Sequence, residues 1–199
     1  MGQLESLAMR TRYSVVAILL HWVIAVLILA NLLLGWRMGY LTGMDQFAMF
    51  QLHKSIGITV LVLSVVRLAW RLLNPPPPSV APMKPWEHRV ASATHWFFYT
   101  LMIGMPLTGW AMVSVSPYNI PTLLWKTIPW PHIGFLHAMD AAGKARVEAV
   151  GGNIHLYLAL GGAALIALHV AAALKHQFIA RDGVLGRMVP GLRSTPHSL

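Results

Sequence analysis

The sequence predicts an all-α integral membrane protein, a four-helix bundle with both termini in the cytoplasm. Three observations predict it. Four apolar runs are each long enough to cross a bilayer core, which takes about 20 residues. The chain of 199 residues is 56% hydrophobic and only 11% charged. Lys and Arg divide unequally between the two sides that the runs define, and cationic loops stay on the cytoplasmic side.

Taken in order, residues 1–12 form a polar tail with Arg10 and Arg12. The first span covers about 13–36 and contains His21. It is too long for a signal-peptide core and has no small-residue cleavage site before its polar flank, so it is predicted to be retained. A loop with Gly39, Gly43 and Asp45 leads to a second span at about 50–73, with His53 at its start and Arg67 and Arg71 near its end. Asn74 is followed by four prolines, Pro75 to Pro78. Proline lacks an amide donor and clashes with the preceding turn, so the helix stops there and a stiff connector follows. The third span, about 92–113, contains Pro106, where a kink is predicted. Segment 114–152 is the longest connector, broken by Pro117, Pro121, Pro129 and Pro131. Its second half, Phe135–Val150, is predicted to be one short amphipathic helix. A fourth span at about 153–177 closes a membrane domain of residues 13–178, and residues 179–199 form a basic tail. No internal repeat is evident.

The two tails and the connector between spans two and three carry ten cations: Arg10, Arg12, Arg67, Arg71, Lys84, Arg89, Lys175, Arg181, Arg187 and Arg193. The other side carries five: Arg37, Lys54, Lys126, Lys144 and Arg146. This bias puts both termini in the cytoplasm and segment 114–152 outside. The net charge of +9 therefore speaks to orientation and anionic lipid, and nothing resembles a nucleic-acid module. The chain has no cysteine, which excludes disulfides, thiolate metal sites, iron–sulfur clusters and covalent haem attachment.

Histidine within an apolar span is costly unless it has a partner, so such residues are candidates for function. His155 and His169 stand fourteen residues apart in span four. That is about four helical turns and ~21 Å, so both fall near one face. Alternating span direction assigns depth. His21 and His169 each lie ~12 Å from the cytoplasmic end, and His53 and His155 both lie near the outer edge. The sequence thus offers an inner pair, His21 with His169, and an outer pair, His53 with His155. Zinc would want three or four ligands at one depth. Two opposed imidazoles suit a planar macrocycle, and without cysteine that means non-covalent haem b, two per chain. With both axial positions filled, electron transfer is the expected chemistry rather than oxygen binding. Arg67 and Arg71 are candidate propionate contacts for the inner haem, and Lys54 or Arg37 for the outer one.

The other histidines fit less well. His95 opens span three at a depth matching neither pair, which favours an interfacial or hydrogen-bonded role. His88, His132, His137 and His197 fall in connectors or tails, where solvated histidine is the default. His176, two turns past His169, is either an interfacial residue or part of a quinone site. Most tryptophans read as an interfacial aromatic belt, and the methionines as lipid-facing or gap-filling side chains.

Several stretches together resemble the bacterial cytochrome b561 family. They are His21-Trp22, His53-Lys54-Ser55-Ile56-Gly57, Val66-Arg67-Leu68 with Arg71 before the proline run, Met105-Pro106-Leu107-Thr108-Gly109-Trp110, Leu168 to His176, and Arg181-Asp182-Gly183-Val184-Leu185-Gly186-Arg187-Met188-Val189-Pro190. The resemblance covers about residues 13–191. It implies a multi-pass inner-membrane cytochrome with two b haems, and the family's axial histidines map onto the same four residues. It also implies superoxide oxidation at the periplasmic face with ubiquinone as electron acceptor. One departure is Lys175-His176, where the family often has two adjacent histidines. The outer loops set five cations against Asp45, Asp140 and Glu148. That balance would draw a small anion such as superoxide, or it is ordinary loop composition. The competing function is a non-enzymatic electron carrier or membrane anchor serving a dehydrogenase, hydrogenase or periplasmic donor. A metal-ion transporter, the third class, would carry no haem. Expected partners are membrane lipid, quinone, and superoxide or a periplasmic donor, in a monomer or weak oligomer.

Overall fold

The computed structural model describes residues 12–78 and 85–192. Arg10, Lys84, Arg193 and His197 lie outside the described residues, as do most of the N-terminal tail and the end of the C-terminal one. In chain order the elements are helices α1 (Val15–Met38), α2 (Gly43–Leu73) and α3 (Pro85–Val115), strands β1 (Thr122–Leu124) and β2 (Ile128–Trp130), the single turn α4 (Gly134–His137), and α5 (Ala141–Lys175). A π-helical turn, His176–Ala180, extends α5, and a 3-10 turn follows at Leu185–Arg187. Helices α1, α2, α3 and α5 are long and apolar enough to cross a membrane.

Three of these helices are longer than hydropathy predicts. Helix α2 starts at Gly43 and α3 at Pro85, because polar residues at a membrane edge lower hydropathy without breaking a helix. Pro85 sits in the first turn of α3, where its missing N–H is no loss. Helix α3 continues through Pro106. Segment 135–150 is not one separate helix. Its first residues form α4, and Ala141 onward runs unbroken into the last span.

Helix α1 is apolar all round, as a membrane span is. It leaves Val15, Leu19, Val26 and Leu33 exposed on its surface and buries Ile24.

The chain forms two compact units. One comprises Val23–Val65 and Phe98–Ala163. Its core is Ile56, Ile58, Val60 and Leu61 of α2 with Tyr99, Leu101 and Met102 of α3. Two buried serines fasten the connector to these helices. Ser55 donates to the Gln51 carbonyl (2.9 Å) and accepts from the Trp125 amide (3.0 Å). Ser114 donates to the Trp110 carbonyl (2.8 Å) and accepts from the Ile133 amide (2.9 Å). Back-bonding to the carbonyl four residues earlier leaves each hydroxyl oxygen facing outward as an acceptor. The Trp110 indole donates to the Pro131 carbonyl (2.8 Å).

The antiparallel β1–β2 hairpin pairs Thr122 with Trp130 and Leu124 with Ile128. Trp125 and Lys126 at its tip are both left-handed, at φ 52° and 65°. Such turns ordinarily take Asn or Gly. Here the contacts of Trp125 with Ser55 and Thr59 hold the conformation.

The other unit comprises the described residues of 1–22, 66–97 and 164–199. Its C-terminal segment clasps the start of α1 and the proline run. The guanidinium of Arg187, 7% exposed, donates to the Pro77 and Pro78 carbonyls (2.8 and 2.7 Å) and lies over the Tyr13 ring. The Trp22 indole donates to the Met188 carbonyl (2.8 Å), and Arg12 reaches the Leu192 carbonyl. Charge-assisted bonds of this kind keep a buried guanidinium satisfied.

Candidate functional site

Each unit holds one pair of facing imidazoles. His53, on α2, and His155, on α5, have ring centroids 6.2 Å apart with planes at 70°. The His53 Nδ1 meets the Asn31 carbonyl of α1 at 3.2 Å. A carbonyl only accepts, so Nδ1 carries the proton and Nε2 keeps its lone pair. The His155 Nδ1 lies 2.8 Å from the Thr108 hydroxyl of α3, and that hydroxyl donates to the Met105 carbonyl at 2.6 Å. Its one proton is committed, so it too accepts from an Nδ1–H, and Nε2 of His155 is again the basic nitrogen.

Glycines make room for both rings. A Cβ at Gly35 would stand 3.3 Å from His53 Cε1, and a Cβ at Gly109 would stand 3.3 Å from His155 Cε1. Next to His53, the Lys54 ammonium is buried, has no hydrogen-bond partner among the described residues and lies 5.1 Å over the Phe50 ring. His132 and His137 of the connector pack against each other at 5.0 Å, and His137 meets the Ser114 carbonyl at 3.2 Å. Burial, and secondarily His137, hold His132 below the usual histidine range. These two are packed groups rather than solvated ones.

In the other unit, His21 on α1 and His169 on α5 have ring centroids 6.4 Å apart, also at 70°. Trp22 packs edge-on to His21 at 5.2 Å. Arg67 is near enough to His21, His95 and His169 to act on each electrostatically, and Arg71 acts on His95. His95 thus stands beside this pair, closer to it than span depth suggests. The His176 Nδ1 lies 2.5 Å from Asp182 Oδ2. Among the described residues no cluster of three or more His, Asp or Glu could hold a metal ion, so each couple is a two-ligand arrangement.

The sequence profile of prokaryotic cytochrome b561 matches residues 12–191. The chain belongs to the prokaryotic cytochrome b561 family. Cytochrome b561 homolog 2 of Escherichia coli K12 is 30% identical over 180 residues, which is 89% of this chain and 91% of that protein. Homolog 1 of the same organism is 30% identical over 184 residues, 90% of this chain and 97% of that one. A protein of Yersinia pestis named probable superoxide oxidase CybB is 30% identical over 191 residues, 93% of this chain and 99% of its own. As a cytochrome b561 the chain is a four-span membrane cytochrome, and its family implies haem b.

The side chains of this cytochrome fit that group. A metal–imidazole bond of about 2.0–2.1 Å, plus roughly 1.1 Å from nitrogen to ring centre, separates two opposed ring centres by about 6.3 Å. Both couples have that separation. The Nδ1 hydrogen bonds of His53 to the Asn31 carbonyl and of His155 to Thr108 leave Nε2 as the ligating nitrogen and fix each ring, as the hydrogen-bond partner of a metal-bound histidine does. The buried Lys54 ammonium is a cation in need of a carboxylate, and Arg67 supplies positive charge to the other couple. Sequence reasoning missed Asn31, Thr108 and the two glycines as supports, although Thr108 and Gly109 lie within one of the motifs that carry the resemblance.

Thr108→Val is expected to weaken haem retention at the His53/His155 couple by roughly 10–100-fold, the usual cost of losing an outer-shell partner. Haem titration of the purified variant, read by its b-band amplitude, checks this.

Proposed function

We propose that this chain is a di-haem cytochrome of the bacterial inner membrane that oxidises superoxide and reduces ubiquinone. The observation that carries it is the presence of two imidazole couples at iron-bridging separation. His21 with His169 hold one haem b, and His53 with His155 hold the other. Haem iron held in this way supplies one-electron transfer when bound. Arg67 and Arg71 would neutralise the propionates of one haem, and Lys54 or Arg37 those of the other. With an imidazole from each side these residues would leave no protein-free position for dioxygen, which favours electron transfer over oxygen chemistry.

The distribution of Lys and Arg supports an orientation with both termini in the cytoplasm and residues 114–152 in the periplasm. There Arg37, Lys54, Lys126, Lys144 and Arg146 outnumber Asp45, Asp140 and Glu148, a balance that draws small anions. Similarity along nearly the whole length to a probable superoxide oxidase supports the same substrate. In the balanced reaction two superoxide anions each lose one electron and leave as dioxygen. One ubiquinone gains both electrons and two protons and leaves as ubiquinol.

Stopped-flow mixing of the purified protein with superoxide is expected to reduce its haems, and added ubiquinone is expected to reoxidise them with no other protein present. If both steps require a second polypeptide, the chain is instead an electron carrier or membrane anchor for a dehydrogenase, hydrogenase or periplasmic donor. The two Escherichia coli relatives, named only as cytochrome b561 homologues, are compatible with that second function.

A further inference from the structure

We infer that an anionic phospholipid binds in a groove between α1 and α2, with an acyl chain along the groove and its phosphate on Arg37. The groove has a volume of about 500 Å³, within the range of small-ligand sites. All of its lining residues belong to one compact unit. Ala30, Leu33 and Leu34 of α1 and Met49, Leu52 and Ile56 of α2 form its walls, and Trp36 and Arg37 stand at the end of α1. From Ala30 to Arg37 the helix rises about 10 Å, a length that takes part of an acyl chain.

This groove lies away from the face of α1 that meets the imidazoles. A helix turns about 100° per residue, so Arg37 is about 20° from Ala30 around the axis. It is about 160° from Gly35, the glycine that packs on His53. Ala30 in turn is about 180° from His21. The histidine and the glycine mark the inward face of the helix, and the groove opens on the other, where Leu33 is exposed. Arg37 is therefore turned away from the His53/His155 couple, which leaves Lys54, next to His53, as the cation for the propionates there.

The chemistry of the walls selects the occupant. Apart from the Trp36 indole the lining is hydrocarbon, and its one charged group is the Arg37 guanidinium in the last turn of the span. Among the described residues no carboxylate pairs with Arg37. Trp36 and Tyr40 meet edge-on at 5.6 Å and are both exposed, and rings of this kind settle at headgroup level. Arg37 thus stands where a lipid phosphate lies, with apolar surface leading from it into the bilayer. A guanidinium meets phosphate through two parallel N–H donors. A diacyl phospholipid of net negative charge satisfies both ends of the groove, whereas a quinone brings a chain without the charge. Lipid held here does not depend on which donor or acceptor serves the haems.

The test uses the full-length, haem-loaded protein in detergent, stripped of lipid, titrated with phosphatidylglycerol or phosphatidylcholine and read by native mass spectrometry. The first phosphatidylglycerol is expected to bind about five-fold more tightly than phosphatidylcholine, the worth of one cation beside anionic lipid. Arg37→Gln should abolish that preference. Ala30→Trp, which fills the groove from its wall, should lose the tightly held phosphatidylglycerol, with the haem spectrum reporting that the variant is folded. Glycerol phosphate, the head without the chain, should not compete. Equal affinity of the unaltered protein for the two lipids, an unchanged preference in Arg37→Gln, or competition by glycerol phosphate overturns the site. Displacement of phosphatidylglycerol by an equal concentration of ubiquinone would make the groove a quinone site and overturns it too. Arg37→Gln, at an exposed position, decides alone if Ala30→Trp does not take up haem.

Discussion

Replacing His169 with alanine is expected to halve the haem content of the purified protein. Its ring faces that of His21 at 6.4 Å, and no third histidine, aspartate or glutamate completes a metal cluster among the described residues. Loss of one axial ligand should weaken that site by more than the roughly 10–100-fold that follows loss of an outer-shell partner. The second couple lies in the other compact unit and should keep its haem. His53→Ala is expected to give the converse, with His21 and His169 still loaded. A pyridine haemochrome count together with the reduced-minus-oxidised spectrum reads both. Two haems retained in either variant would mean that the iron is held elsewhere.

Gly109→Val should be nearly as damaging to the His53/His155 couple, although no ligand is touched. A Cβ alone would sit 3.3 Å from His155 Cε1, inside the ~3.5–4.0 Å at which carbon atoms pack best. The two further methyl groups of valine must push the ring away, and this breaks its 2.8 Å hydrogen bond to Thr108. Overpacking of this kind costs about 1–3 kcal/mol, and the displaced Nε2 no longer faces its partner. Gly35→Val should act likewise on His53. The alanine variants are the informative comparison. Replacing a helical glycine with alanine normally stabilises by about 0.8–1 kcal/mol, so a rise in Tm with both haems intact would show that the glycines serve no ring. A lowered haem content or a shifted midpoint potential, against that intrinsic gain, would show that they do.

Much of this architecture was legible in the residue pattern, and the reasons are physical. A bilayer demands long apolar helices, so hydropathy reports the four spans directly. Histidine in such a span stands out, and turn arithmetic with alternating direction puts His21 beside His169 and His53 beside His155. The structure brings the same rings together. Long-range geometry was hidden. The Asn31 carbonyl is a backbone group with no side-chain signal, and Thr108 reaches His155 across 47 residues. The hairpin was illegible because Trp125 and Lys126 carry its left-handed turn without glycine or asparagine. The extension of α5 back to Ala141 was obscured by a polar stretch that hydropathy reads as connector. Asp182 could have been noticed as an acid in a basic segment, but only the π turn brings it to His176.

The clasp formed by Arg187, Met188 and Leu192 also bears on how the protein is made. Its partners are Tyr13, Trp22 and the carbonyls of Pro77 and Pro78, and all of them leave the ribosome long before it does. Chains emerge at about 5–20 residues per second. The opening of the first span and the proline run must therefore wait in the translocon's vicinity for their fastener. Insertion can begin early, but that half of the molecule is completed only once residues 187–192 have been made.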